Sequence, residues 1–268
     1  MLWNAKNGSV PVGGTDMDYV SFGQGDRSFI VLPGLSDGLM TVKGKALLLA
    51  KPYVKFFKDY TVYMFSRKNK MPQGYSIREM AADQAAALKA LGIAKASVMG
   101  VSQGGMIAQY LAVDYPELIE KLVIAVSAPR VNEMMRSILL ERMEAAQKGD
   151  HQKLMIDTAE TAYSEQYLKR LRAFYPILGR MGKPRTYDRF FINANAILGF
   201  DVYEELPKIS CPTYIIGGAE DKTVGIAASY EMEGKIKHSE LYIYQGLGHG
   251  AYDEAKDFYS RVYNFLIK

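Results

Sequence analysis

The chain has 268 residues, 49% of them hydrophobic and 23% charged, and a net charge of +4. This is the make-up of an ordinary globular protein with material for a sizeable core, arranged as one large domain or two smaller ones. It excludes a strongly basic nucleic-acid binder, an intramolecular disulfide framework (Cys211 is the single cysteine) and a long apolar membrane run.

Met1 to Gly8 carry no apolar stretch of the kind found in a secretion signal, which together with the lone cysteine predicts a cytoplasmic protein. Asp18 to Gly23 alternate as a strand, Gln24-Gly25-Asp26 turn, and Ser28 to Leu32 form a nearly all-apolar run expected of a strand covered on both faces. The run ends at Pro33-Gly34-Leu35-Ser36-Asp37-Gly38, a loop rich in breakers, followed by a helix through Ala46 to Leu49 and a strand over Tyr60 to Phe65. Arg67-Lys68-Asn69-Lys70 is the one tight basic cluster; no aromatic ladder flanks it, and it reads as a solvated loop. Ser76-Ile77-Arg78-Glu79 forms a capping box, and the helix it opens stops at Gly92.

Ala96 to Met99 predict a short buried strand, and Gly105 to Ala112 a helix closed by Pro116. Between them lies Gly100-Val101-Ser102-Gln103-Gly104, a G-x-S-x-G sequence in the strand–turn–helix setting that such a motif needs. A serine on so sharp a turn has its hydroxyl pushed into the open, beside a helix N-terminus that favours negative charge, so Ser102 is the candidate nucleophile. Lys121 to Val126 predict a further buried strand. From Val131 to about Asn195 no strand pattern appears; amphipathic helices over Met134 to Gln147 and Lys153 to Phe174 are interrupted by Gly149, Pro176, Gly179, Gly182 and Pro184. Strands resume at Thr213 to Ile216 and Glu240 to Tyr244, and a closing helix has apolar residues at 258, 262, 265 and 266. The alternation predicts an α/β fold, a mainly parallel β-sheet with helices on both faces, interrupted by a helical insertion.

A serine hydroxyl needs a base to take its proton, and a neutral imidazole does this near pH 7. His151 and His238 have polar neighbours and read as surface residues, whereas His249 lies in a Gly-rich loop after a strand, where its side chain can turn across strand ends. Cys211, before a proline at a strand entrance, reads as packing.

Five features in order then resemble the α/β-hydrolase superfamily, over nearly the whole length. They are the Pro33-Gly34 loop, the Ser102 turn, the helical insertion, the segment Ile209 to Asp221, and Gly246-Leu247-Gly248-His249-Gly250. The resemblance implies a core over 1–130 and 196–268, with a helical cap over 131–195, and is to the Ser-Asp-His type that includes esterases and enol-lactonases. It implies the triad Ser102, Asp221 and His249, with Asp221 preferred to Glu220. It also implies an oxyanion hole made by the backbone N–H groups of Leu35 and Gln103. Pro33-Gly34 stands where a His-Gly pair is common in the family, and the HGGG loop of some lipases and esterases is absent.

The implied activity is cofactor-independent and metal-free: a serine hydrolase cleaving a small or medium carboxylic ester, lactone or thioester through an acyl-enzyme. C–C bond hydrolysis or acyl transfer with the same triad is one alternative, and a non-catalytic ligand-binding role is another. The expected partner is a small-molecule acyl substrate, with no nucleic acid and no membrane span. In the insertion, Tyr163, Tyr167, Phe174, Tyr175, Tyr187, Phe190 and Phe191, with Met134, Met135, Met143, Met155 and Met181, suggest an apolar cavity. Arg130, Arg136 and Arg185 are candidates to hold a substrate carboxylate.

Overall fold

The computed structural model describes residues 2–180 and 182–268. Among them are strands β1 Lys6–Val12, β2 Thr15–Gly23, β3 Arg27–Leu32, β4 Tyr60–Phe65, β5 Ala96–Val101, β6 Ile119–Ala125, β7 Thr213–Gly218 and β8 Ser239–Tyr244. The helices are α1 Ala46–Ala50, α2 Ile77–Ala90, α3 Gln103–Asp114, α4 Glu133–Gln147, α5 His151–Ala162, α6 Glu165–Leu171, α7 Tyr175–Leu178, α8 Asp188–Leu198, α9 Ala227–Lys235, α10 Ala251–Glu254 and α11 Phe258–Ile267. Among the described residues no helix is long and apolar enough to cross a membrane.

The sheet runs in the order β1-β2-β4-β3-β5-β6-β7-β8. β1, β2 and β4 pair antiparallel, and every pairing from β4 through β3 to β8 is parallel. A parallel sheet covered on both faces needs apolar residues at successive positions, and β5 and β7 are buried throughout. The pleat sorts them. Ile30, Leu32, Val98 and Ile124 join the core under α2 and α3, while Phe29, Val31, Met99 and Val123 join the opposite core against α11. The capping box forms as expected: Glu79 N–H donates to Ser76 Oγ at 3.2 Å and Ser76 N–H to Glu79 Oε2 at 2.8 Å. Gly92 then ends α2 at φ +70°.

Chain order reverses beside β3: β4 lies on one side of it and β5 on the other. In open α/β sheets such a switch point opens a crevice at the carboxyl ends of the strands. α4 to α8 all lie between β6 and β7. This excursion is pinned at its base, where Arg130 and Asp201 form an isolated bridge and Val131 N–H donates to the Phe200 carbonyl at 3.2 Å. The boundary expected at 195 therefore falls inside α8, whose apolar face runs on through Ile197. The single helix expected over 153–174 is two, because the chain breaks at Tyr163 and Ser164 caps α6 by accepting from Tyr167 N–H.

Two further expectations are corrected. Arg67 is not in a solvated loop: its side chain is fully buried and its Nη2 donates to Gln103 Oε1 at 2.9 Å. Lys68 leans on the Tyr75 ring and pairs with Asp83 at 2.9 Å, which leaves only Asn69 and Lys70 exposed. His151 is not a surface residue but is buried at the start of α5, with its Nδ1 3.0 Å from Tyr187 Oη. Both side chains find partners more than thirty residues away in sequence, at |i−j| 36.

Candidate active site

Ser102 follows β5 directly and has φ 53° and ψ −120°, a conformation side chains rarely adopt. Glycines on either side make the turn possible. A Cβ on Gly104 would lie 1.9 Å from the Leu32 carbonyl oxygen, and one on Gly100 would lie 2.2 Å from that of Gly104. Ser102 N–H donates to the Ala125 carbonyl at 2.9 Å, and Ser127 Oγ–H to the Ser102 carbonyl at 2.8 Å, so β6 and its following loop brace the turn.

Asp221 comes from the loop after β7 and His249 from the loop after β8, and the structure brings both to Ser102. His249 Nε2 lies 2.9 Å from Ser102 Oγ, and His249 Nδ1 lies 2.8 Å from Asp221 Oδ2. The other carboxylate oxygen, Oδ1, accepts from the N–H groups of Thr223 at 2.8 Å and Val224 at 2.9 Å. Burial by itself would raise the Asp221 pKa, but the charge and hydrogen bond of His249 and these amides outweigh it and hold the carboxyl below its usual range. An ionised carboxylate only accepts, so Nδ1–H donates to it, and a neutral imidazole held in this way presents its Nε2 lone pair to the Ser102 hydroxyl. Glu220 is exposed, and so is His238.

Leu35 and Gln103 each open a helical turn, the 3-10 turn Leu35–Gly38 and α3, where an N–H has no carbonyl partner within the helix. Gly34 packs against Ser102, where an added Cβ would sit 3.3 Å from the serine Cβ. The Gln103 side chain points elsewhere: its Nε2 donates to the Asn193 carbonyl at 3.0 Å while its Oε1 accepts from Arg67. Arg189 donates to Asp37 Oδ2 at 2.6 Å and to the carbonyls of Asp37, Arg67 and Lys68. Asp37 Oδ2 also accepts from Arg67 N–H at 3.1 Å. Through this buried network α8 is tied to both segments that carry the candidate oxyanion amides.

A cavity of about 260 Å³ opens over Ser102, walled by His249, Met155, Tyr163, Tyr167, Leu171 and Leu178. A smaller space of about 40 Å³, lined by Met106, Met135, Leu139, Ile197 and Val224, also reaches Ser102. Of the aromatic residues expected to line a pocket, Tyr163 and Tyr167 do, stacked with centroids 4.5 Å apart. Phe174 is exposed, Phe190 is in the core, and Tyr187 contacts His151. Met155 and Met135 line the spaces and Met134 is exposed, while Met181 is outside the described residues. Neither Arg130, stacked on Tyr203, nor Arg136 nor Arg185 borders either space. Arg142 does, and sequence reasoning passed over it. A signal was there: it falls in register with Met135, Leu139 and Ala146, a charge in the apolar stripe of α4. Among the described residues no three His, Cys, Asp or Glu side chains are grouped as a metal site would require.

With this geometry in place, the family model for the alpha/beta hydrolase fold matches residues 63–256, and the chain belongs to that family. A curated relative, 3-oxoadipate enol-lactonase 2 of Acinetobacter baylyi, is 24% identical over 237 residues, covering 85% of this chain and 84% of that protein. The 2-hydroxy-6-oxononadienedioate/2-hydroxy-6-oxononatrienedioate hydrolase of a Pseudomonas species is 28% identical over 188 residues, covering 66% of this chain and 65% of its own. Among solved structures, an alpha/beta hydrolase enzyme from a Medee basin deep-sea metagenome library superposes with a TM-score of 0.84 at 22% identity, covering 97% of this chain and 98% of that one. The chain is thus an enzyme of the hydrolase kind.

Proposed function

We propose that the protein is a serine hydrolase that opens a carboxylic ester, lactone or thioester through an acyl-enzyme. The observation that carries this reading is the unbroken hydrogen-bond chain from Ser102 through His249 to Asp221 at the floor of the cavity. Ser102 Oγ attacks the acyl carbon as its proton passes to His249 Nε2. The imidazolium that forms is steadied by Asp221 and then returns the proton to the departing alcohol or thiol. Water, activated by the same imidazole, attacks the acyl-enzyme, releases the acid and restores Ser102. The N–H groups of Leu35 and Gln103 hold the oxyanion in both steps, an effect typically worth a few kcal/mol per donor. The helices α4 to α7 act as a cap, since they supply most of the cavity wall. That one curated relative is an enol-lactonase supports lactone opening as a member of this class.

A fluorophosphonate probe, which phosphonylates an activated serine, tests the reading. It should label the wild-type protein and leave Ser102→Ala unlabelled, and kcat/KM toward activated esters should fall by roughly 10⁴- to 10⁶-fold in the variant. Equal labelling of both proteins would place the nucleophile elsewhere. C–C cleavage by the same triad, as the name of the Pseudomonas relative allows, is told apart by its products, two carbon fragments with no alcohol released.

A further inference from the structure

Arg142 takes no part in that mechanism, yet it stands at the reaction centre. Its side chain reaches in from α4 and is 9% exposed, and it borders both spaces that meet at Ser102. A guanidinium offers five N–H donors. Among the described residues its one hydrogen bond runs from Nη2 to Thr161 Oγ1 at 2.6 Å, and its Nε has no partner. Among the described residues no carboxylate forms an ion pair with it. Asp157 is held by Lys153 at 2.6 Å and Asp221 by His249 at 2.8 Å, so these two and Glu141 act on Arg142 only through space. Burial pulls its pKa down to about 10, which leaves it charged at neutral pH. A buried cation without a counter-ion is costly, and an anion arriving in the cavity relieves that cost. The walls around it are mostly apolar, which suits a molecule whose remaining part is largely hydrocarbon.

The direction of that chain follows from which groups line which space. His249, which must protonate the leaving group, borders the larger space and not the smaller one, whereas Leu35, Ser102 and Arg142 border both. The leaving group departs on the His249 side, and the acyl chain extends on the side of Leu35 and Arg142. Resting on the serine-hydrolase reading, we propose that Arg142 anchors a carboxylate at the far end of the substrate's acyl chain, so that the substrates are half-esters or lactones of acids carrying a second carboxyl group. The planar guanidinium matches a carboxylate with two parallel N–H donors, which a lysine in its place could not reproduce.

The test compares 4-nitrophenyl hydrogen adipate with 4-nitrophenyl 6-oxoheptanoate, which has the same chain but ends in a neutral methyl ketone. The six-carbon diacid avoids the rapid internal anhydride formation of shorter half-esters. Wild type should favour the acid-ended ester by at least tenfold in kcat/KM. Arg142→Met should lower that ratio at least tenfold, chiefly through KM, and Arg142→Lys should fall between. A second measurement needs no turnover: calorimetry with Ser102→Ala should show methyl hydrogen adipate binding at least tenfold more tightly than dimethyl adipate, and adding Arg142→Met should erase the difference. A wild-type ratio near one, or a ratio unchanged in folded Arg142→Met, overturns the proposal. If Arg142→Met does not fold, the wild-type and Arg142→Lys ratios decide. Fluorophosphonate labelling without any preference for the acid-ended ester sinks the anchor and spares the serine mechanism. Arg142-dependent binding in a protein that the probe does not label sinks the mechanism and spares the anchor.

Discussion

At Ser102, the proposed nucleophile, local stability and the proposed chemistry pull in opposite directions. Its φ of 53° and ψ of −120° are held by Gly100, Gly104 and the hydrogen bonds to Ala125 and Ser127. A side chain in such a region costs on the order of 1–3 kcal/mol, which glycine escapes at a small entropic expense in the unfolded chain. Ser102→Gly should therefore raise stability by about 1 kcal/mol, or ~2–4 °C in Tm, while ester turnover disappears. Calorimetric melting of the two proteins checks this, and a lower Tm in the variant would mean that the turn is not strained. Val126, at φ 43° in the loop after β6, also has a positive φ, and its N–H donates to the Ile216 carbonyl at 2.7 Å.

At the scale of elements, α8 is more than a covering helix. Arg189 ties it to Asp37, whose side chain is fully buried, and to the backbone at Arg67 and Lys68. Removing the guanidinium leaves Asp37 buried without its pairing cation, a loss typically of about 3 kcal/mol. Arg189→Met should show that loss in urea unfolding. It should also lower kcat by roughly tenfold or more with a smaller change in KM, because the Leu35 loop that Asp37 belongs to loses its support. An unchanged kcat in the folded variant would separate the network from the chemistry. Glu160 of α5 clasps the helices after it, with Arg172 at 2.9 Å and Tyr175 Oη at 2.7 Å. Hydrogen bonds from Arg172 and Tyr175 pull its pKa down from the ordinary glutamate range to about 2. A depressed carboxylate contributes its stability above the unfolded value and loses it as pH falls toward the folded one. The Tm gap between wild type and Glu160→Gln should thus be full at pH 6 and shrink from about pH 4.5 toward pH 2. A gap that widens on acidification would contradict this assignment of the clasp.

On the scale of the whole molecule, the proposed mechanism draws chemistry and selectivity from different parts of the chain. The loops after β3, β5, β7 and β8 carry the proposed reacting groups Leu35, Ser102, Asp221 and His249, whereas the wall of the larger space, on the proposed leaving-group side, comes largely from α4 to α7. Tyr167→Ala, which opens that wall, should change the relative kcat/KM among esters of different alcohol size by about 1–3 kcal/mol. Phe174→Ala should leave the ranking as it is, since Phe174 is 56% exposed and borders neither space. Parallel specificity profiles for wild type and Tyr167→Ala would show that the wall does not select.

Wherever the information is local, the sequence alone determined the outcome. The capping box before α2, the strand–serine–helix turn at Ser102 and the all-apolar strands are written within a few consecutive residues, because a cap, a tight turn and a doubly covered strand are each satisfied by near neighbours. The order of Ser102, Asp221 and His249 along the chain was legible through the family resemblance, and each lies at or in the loop after a strand whose carboxyl end faces the same crevice. Arg67, His151 and Arg142 were not legible in this way. Each is a polar side chain whose burial depends on a partner or a space contributed by residues far along the chain: Gln103 for the first, Tyr187 for the second, the cavity for the third. Composition places such residues at the surface by default, and only the packing of α4, α5 and α8 over the sheet decided otherwise. The same packing selected Tyr163 and Tyr167 over Phe174 and Phe190 as cavity wall, because an apolar side chain reads alike in sequence whether it faces a core, a cavity or solvent.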